Sequence, residues 1–287
     1  MKSKLAAAVH HFFRFPLFEK GLLLFSKNSF IGSATSKLVP PNFTYPNPTY
    51  RVARQLGYKI NVNLNDYNDW KTYWGLKEEE REELYKLAAS ARTVVDIGVN
   101  NGWVMINLAN IIKKNSGHVY GFEPHPETFK RSFANISTNN ISNATLYNLG
   151  CGDSVAEMKM VNVISTNSGQ NRIVQDNALH STKEVTVVKI VTLDEQLKDV
   201  GKIDLVKIDV EGFEKKVLQG AINILKRDKP VLFIELDDML LKSNDSSGFD
   251  LIAFLQQYGY NITHARTGKE VKRLEDVENY HFDIICK

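Results

Sequence analysis

Short β-branched runs alternate along the chain with longer stretches whose apolar residues recur at helical spacing. Thr93-Val94-Val95-Asp96-Ile97 reads as a strand buried on both faces, ended by Gly98 and Gly102. The apolar stretch Trp103 to Ile112 is long enough for a crossover helix, and His118-Val119-Tyr120-Gly121-Phe122 reads as the next strand, stopped by Pro124. A helix through Phe129, Phe133 and Ile136 leads to a third strand, Ala144 to Leu149. Ile203 to Ile208 gives a fourth strand, followed by one helix with Phe213, Val217, Ala221 and Leu225 in a single stripe. Pro230 to Glu235 is a fifth strand, Phe249 to Tyr258 a helix, and Tyr260 to Ala265 and His281 to Cys286 are two further strands. This alternation predicts an α/β fold: a mainly parallel sheet, right-handed crossovers, helices on both faces and ligand sites at the strand carboxyl ends.

Two regions fall outside that rhythm. The runs 156–164 and 184–191 read as extra strands joined by a polar, Asn- and Ser-rich stretch, and this insert is expected to form part of an acceptor site. His180 within it reads as a surface histidine rather than a base. Before the first core strand, Val39 to Pro48 is a proline-rich connector, residues 50–74 suit edge strands or a lid, and Lys77 to Ala89 suits a charged amphipathic helix. The expected division is therefore a helical or irregular amino-terminal extension, residues 1–75, and a main domain, residues 76–287.

The amino end has Lys2 and Lys4 followed by apolar residues, like a signal peptide, but His10, His11, Arg14, Glu19 and Lys20 interrupt the pattern. It lacks the ~20 apolar residues needed to span a bilayer, so the segment is expected to pack or to lie on a surface, giving peripheral contact with a membrane.

The chain has 287 residues, 43% of them hydrophobic, enough to bury a sizeable core. Its net charge of +3 is spread over 36 basic and 33 acidic residues without a run of one sign, which argues against a nucleic-acid partner. Cys151 and Cys286 are the only cysteines, so neither a disulfide framework nor a zinc site is expected and a reducing cytoplasm fits.

The chemistry concentrates at two strand ends. Gly98 and Gly102 let a ligand approach the backbone, and Glu123 at the neighbouring tip can accept hydrogen bonds from both hydroxyls of a ribose. A dinucleotide is the poorer guest, because the loop is Gly-Val-Asn-Asn-Gly rather than Gly-x-Gly-x-x-Gly and Asp96 would repel a diphosphate. The ammonium and sulfonium of S-adenosylmethionine suit an acidic site better. A structural alternative has Asp96 and Asn100 capping the next helix and Glu123 as a solvated strand end.

Val94 to Gly102, Gly121-Phe122-Glu123-Pro124, and Val206-Lys207-Ile208-Asp209-Val210-Glu211-Gly212-Phe213-Glu214 resemble the motifs of the FkbM-type methyltransferases, with Val99 where that family usually has alanine. The resemblance runs from about Trp74 to the end. It implies a Rossmann-like sheet of seven strands, the last antiparallel, and methylation of a hydroxyl on a sugar, glycan or glycosylated metabolite. By the same resemblance Asp96, Gly98, Asn100 and Gly102 would hold the methionine part of the cofactor, Glu123 the ribose and Asp153 the adenine amino group. Asp153 reads equally well as a turn residue. Asp209 or Glu211, at the mouth of the sheet, is placed to take the hydroxyl proton, a contribution of ~10²–10⁴ in rate. Either carboxylate, Asp209 or Glu211, could instead bind Mg²⁺. Glu211 and Glu214 also suit the positive end of the following helix, with Lys207 solvated, and Glu235 ends a central strand. An NAD-dependent oxidoreductase and a non-catalytic binding module on this fold are the rival readings.

Overall fold

The computed structural model describes residues 10–26, 38–76, 79–161, 166–174 and 185–287. It separates into two compact units, Met1–Lys77 with Ile164–Gly169, and Glu78–Val163 with Gln170–Lys287. The expected histidine at 180 and the start of the amino end lie outside the described residues.

In the first unit, helix α1 (Pro16–Ser26) accompanies an antiparallel hairpin of β1 (Tyr50–Gln55) and β2 (Tyr58–Asn63), and helix α2 (Tyr67–Trp74) follows. The hairpin alternates, so Ala53, Ile60 and Val62 are buried while Val52, Arg54 and Lys59 face water. Asp66 caps α2 by accepting from the N–H groups of Asn68 and Asp69. Glu19 is buried, with Oε1 accepting from Arg51 Nε at 2.9 Å and Tyr73 OH at 2.6 Å. The segment at 164–169 is held to this unit by the Tyr67 N–H on Thr166 O (2.8 Å), Asn42 Nδ2 on the same oxygen (3.2 Å), and the Ser168 N–H on Asp66 Oδ2 (2.5 Å).

The second unit contains a seven-stranded sheet. Its strands are β3 (Thr93–Ile97), β4 (His118–Phe122), β5 (Ala144–Tyr147), β10 (Leu205–Ile208), β11 (Val231–Asp237), β12 (Ile262–His264) and β13 (His281–Cys286). Their spatial order is β12-β13-β11-β10-β3-β4-β5, and only β13 runs against the rest. The order reverses between β3 and β10, so the crossover helix α4 (Trp103–Lys113) and the pair α7 (Glu214–Gln219) and α8 (Ile222–Asp228) cover opposite faces. The main core joins Val95, Ile97, Val206, Ile208, Leu232 and Ile234 to Leu218, Leu225 and Ile252. Each such fully buried aliphatic side chain contributes about 1.5–3 kcal/mol. The remaining helices are α3 (Glu79–Ala88), α5 (Pro126–Thr138), α6 (Leu193–Gln196), α9 (Asp238–Lys242) and α10 (Gly248–Gln257). Both cysteines are buried and free.

Three expectations change. The third strand ends at Tyr147 rather than Leu149, because the Asn148 side chain turns back to donate to Glu123 O and Pro124 O. The residues after it do not prolong the main sheet. β6 (Gly150–Cys151) joins β7 (Ala156–Val161), β8 (Arg172–Val174) and β9 (Val185–Val191) in a separate four-stranded sheet of order β6-β9-β7-β8. The single helix expected over Phe213 to Leu225 is divided into α7 and α8. A Cβ on Gly220 would stand 1.9 Å from Gly152 O, so the break lies where the small sheet abuts the helix.

Candidate active site

The reversal of strand order leaves a crevice at the carboxyl ends of β3 and β10. Register sets Asp96 beside Gly121 on β4 and Lys207 on β10, and Lys207 beside Phe233 on β11. Alternate residues of a strand share a face, so Asp96, Glu123, Lys207, Asp209 and Glu235 all project to one side of the sheet. The ladder continues past the strand ends through the Glu123 N–H on Tyr147 O (3.0 Å) and the Asp209 N–H on Ile97 O (3.1 Å).

On the β3–β4 side, the N–H groups of Gly98 and Val99 donate to Phe122 O at 3.0 and 3.2 Å. Gly98 has φ +85°, and a Cβ there would lie 1.9 Å from Asp209 O, so the loop rests directly on the backbone after β10. Asn100 is also left-handed, φ +52°, and its N–H donates to Glu123 Oε2 at 2.9 Å. Glu123 Oε1 accepts from the His125 N–H at 3.0 Å. Burial lifts the Glu123 carboxyl to about 7 against the pull of these two bonds. Asp96 is wholly buried; burial raises its pKa and the nearby Lys207 opposes the rise. Neither Asp96 oxygen accepts a hydrogen bond of normal geometry. The capping alternative fails for these two acids: Asp96 lies inside β3 and Glu123 is 6% exposed, while Asn101 Oδ1 receives the Trp103 N–H at the start of α4.

Across the crevice, Lys207 is buried rather than solvated. Its Nζ donates to Gly98 O at 2.8 Å and stands 3.4 Å from Asp96 Oδ1 and 3.2 Å from Asp209 Oδ2. Carboxylate oxygens of Asp209, Glu211 and Glu235 lie within 4.8 Å of one another, an all-oxygen set of the type that holds hard cations such as Mg²⁺. Burial pushes the Asp209 carboxyl up, but the Lys207 ammonium and a hydrogen bond from Glu235 outweigh it and hold it below the usual range. Burial, together with Asp209 and Glu211, pushes Glu235 well above that range. The pair thus keeps a proton on Glu235 and a charge on Asp209. Glu211 is left-handed, φ +55°, and burial with the charge of Asp209 raises it to about 8. Glu214 points back from α7, its Oε1 accepting from the N–H groups of Val210 (3.3 Å) and Gly212 (3.0 Å), and so fixes the loop that carries Glu211.

Of the anticipated residues, Asp96, Gly98, Asn100 and Glu123 meet at one crevice with Asp209, and Gly102 opens α4 beside them. Asp153 stands exposed after β6, outside the seven-stranded sheet. Sequence reasoning missed the buried Lys207, and also Asp283 and His281. The last two lie opposite Glu235 and Asp237 on β13, with His281 Nδ1 3.0 Å from Asp237 Oδ2. A histidine and an acid at alternate positions of a closing, otherwise apolar strand were the available signal.

This crowding predicts a pH dependence. Burial is the first cause in lifting Glu123, Glu214 and Asp283 to about 7 and Glu211 to about 8. Between the ordinary carboxylate value and these raised values the folded chain binds protons that the unfolded chain has lost, so stability falls as pH rises from about 5 to about 8. Thermal midpoints should decline over that window, and Glu211→Gln should flatten the upper part; a midpoint that rises would contradict the geometry.

Residues 96–262 match the Methyltransferase FkbM domain. Similar solved structures include a methyltransferase FkbM from Methylobacillus flagellatus KT, 17% identical, covering 69% of this chain and 44% of that one, with TM-score 0.44. A precorrin-6y C5,15-methyltransferase from Geobacter metallireducens GS-15 is 16% identical, with 74% of this chain and 89% of that one covered and TM-score 0.41. A Streptococcus mutans chain assigned as a methyltransferase and bound to SAH is 14% identical, with 74% and 98% covered and TM-score 0.41. This chain thus spans less than half the length of the first of these. No curated protein matches the sequence. The family match begins at the buried Asp96, runs through both sides of the crevice and covers more than half of the 287 residues, and the chain belongs to the FkbM methyltransferase family.

Proposed function

We propose that the protein transfers a methyl group from S-adenosylmethionine to a hydroxyl oxygen of a sugar, glycan or glycosylated metabolite. The residues present fit the donor. Asp96 offers two buried oxygens without normal hydrogen bonds, an acceptor set for an ammonium, and each Glu123 oxygen has capacity for a ribose hydroxyl beyond the one N–H it receives. Asp96, Gly98, Asn100 and Gly102 would hold the methionine part and Glu123 the ribose; Asp153 is kept as the residue for the adenine amino group. When bound, the donor supplies a methyl group on a sulfonium, already activated for in-line displacement.

The observation that carries the reading is the Lys207 bridge, which ties Gly98 and Asp96 of the donor side to Asp209 at distances of 2.8 to 3.4 Å. Asp209 is ionised, 41% exposed and fixed beside the donor loop, so it is the group to take the proton of an acceptor hydroxyl. Glu211 orients the acceptor from the strained turn beside it. The oxygen acceptor is supported by the need for such a base, and the sugar class by the family resemblance. Of the two uses foreseen for these carboxylates, proton removal is preferred to Mg²⁺ binding, because Lys207 already supplies the compensating cation that a metal would have to displace. An oxidoreductase would have to seat a diphosphate against Asp96.

One experiment with three arms tests this. Calorimetry should show S-adenosylhomocysteine binding to the parent chain, and Glu123→Ala should weaken it by roughly tenfold or more, about 1.4 kcal/mol. Asp209→Asn should bind it normally yet transfer methyl to glycan acceptors ~10²–10⁴ times more slowly. Chelation with EDTA should leave the parent rate unchanged. Binding of NAD in place of S-adenosylhomocysteine, or tight binding without turnover on any acceptor, would instead favour one of the rival readings.

A further inference from the structure

Helix α1 has one side turned into the first unit and one turned out. Leu22 and Glu19 are buried, and Glu19 is ion-paired with Arg51 and accepts a hydrogen bond from Tyr73. Outward stand Leu17 and Leu24, each 76% exposed, with Phe18 at 39%, and just ahead of the helix Phe12 and Phe15 at 46% and 53%. Aromatic and leucine side chains grouped on water-facing helix positions mark an interaction surface rather than ordinary surface scatter.

Charge identifies the partner. The first 65 residues hold nine Lys and Arg and a single acid, Glu19, against 36 and 33 for the whole chain. No run of one sign is present, so the excess is visible only as a regional imbalance. Because Glu19 is sealed inside, the outward side of α1 has Lys20 and no carboxylate. An apolar helix side bearing a lysine, in a stretch of sequence whose charges are nearly all basic, is the pattern of a helix lying in the plane of an anionic bilayer. No helix among the described residues is long and apolar enough to cross a membrane.

We infer that the outward side of α1, with Phe12, Phe15, Leu17, Phe18 and Leu24 as its apolar contacts, docks the protein on an anionic lipid surface. This reading is independent of the methyl-transfer proposal. The test is flotation of the full chain with vesicles of phosphatidylcholine, with or without phosphatidylglycerol. The protein should float with the mixed vesicles and not with phosphatidylcholine alone, and raising salt should release it several-fold. Leu17→Ser and Leu24→Ser should each weaken binding by about tenfold. Val52→Ser should leave it unchanged, since Val52 alternates with the buried Ala53 and lies on the hairpin face away from Arg51 and Glu19. All three positions are exposed, so thermal midpoints should match the parent. The proposal is overturned if the chain ignores the mixed vesicles, if binding survives the combined Leu17→Ser and Leu24→Ser change, or if those leucines instead support a dimer seen by sedimentation.

Discussion

Replacing Lys207 with methionine should remove about 3–5 kcal/mol of stability, because it leaves Asp96 wholly buried and Asp209 partly so without the cation they share. Methionine keeps most of the side-chain volume, so the loss reports charge rather than packing. The stranded carboxyls would then take up protons, and the variant should regain stability as pH falls through the range where they titrate, a trend already present at Asp96 in the parent, where burial raises its pKa, but reversed there at Asp209. Adding Asp96→Asn should restore a large part of the loss. Urea unfolding at neutral and mildly acidic pH measures both effects. A loss below about 1 kcal/mol would mean that Lys207 acts as a solvated surface group.

Gly98→Ala should be nearly as severe, and for a different reason. At φ +85° the new methyl is disfavoured by about 1–2 kcal/mol before any contact is considered. It would then meet Asp209 O at 1.9 Å, and because both partners are backbone no rotamer relieves the clash. The loop must lift away from β10, weakening the Asp209 N–H bond to Ile97 O and moving Asn100 off Glu123. S-adenosylhomocysteine affinity should fall by two orders of magnitude or so, with a lowered unfolding midpoint. Gly102→Ala is the internal comparison. It has the same φ, but its Cβ would meet Ser132 at 3.3 Å, so only the conformational part should remain. Equal effects at the two glycines would show that the close approach to Asp209 does not matter.

The core of the fold was legible because each piece carried its own local signal. Thr93 to Ile97 is β-branched and closed by Gly98, and Trp103 to Ile112 has no breaker, so strand, loop and helix each declared themselves. The loop and Glu123 were legible for the same reason. Long-range pairing was not. Lys207 between Val206 and Ile208 reads as a solvated alternation, and only the register with β3 reveals Asp96 beside it. Asp283 and His281 needed the antiparallel register of β13 with β11. The stripe through Phe213, Val217, Ala221 and Leu225 is genuinely apolar and all four are buried, yet the break at Gly220 is set by the approach of Gly152, 68 residues earlier. The surroundings of Asp153 were equally hidden, because Gly150 and Cys151 just before it pair with Ile190 and Val191, some 40 residues later.

The segment Ile164–Gly169 sits in sequence between two stretches of the second unit but belongs to the first. The backbone therefore makes three passages from one unit to the other, at 77–78, 163–164 and 169–170. The leading residues are sewn in rather than hung on. A shortened protein begun at residue 78 would retain its large sheet, yet Thr166 and Ser168 would lose Tyr67, Asn42 and Asp66 and the backbone hydrogen bonds those residues satisfy.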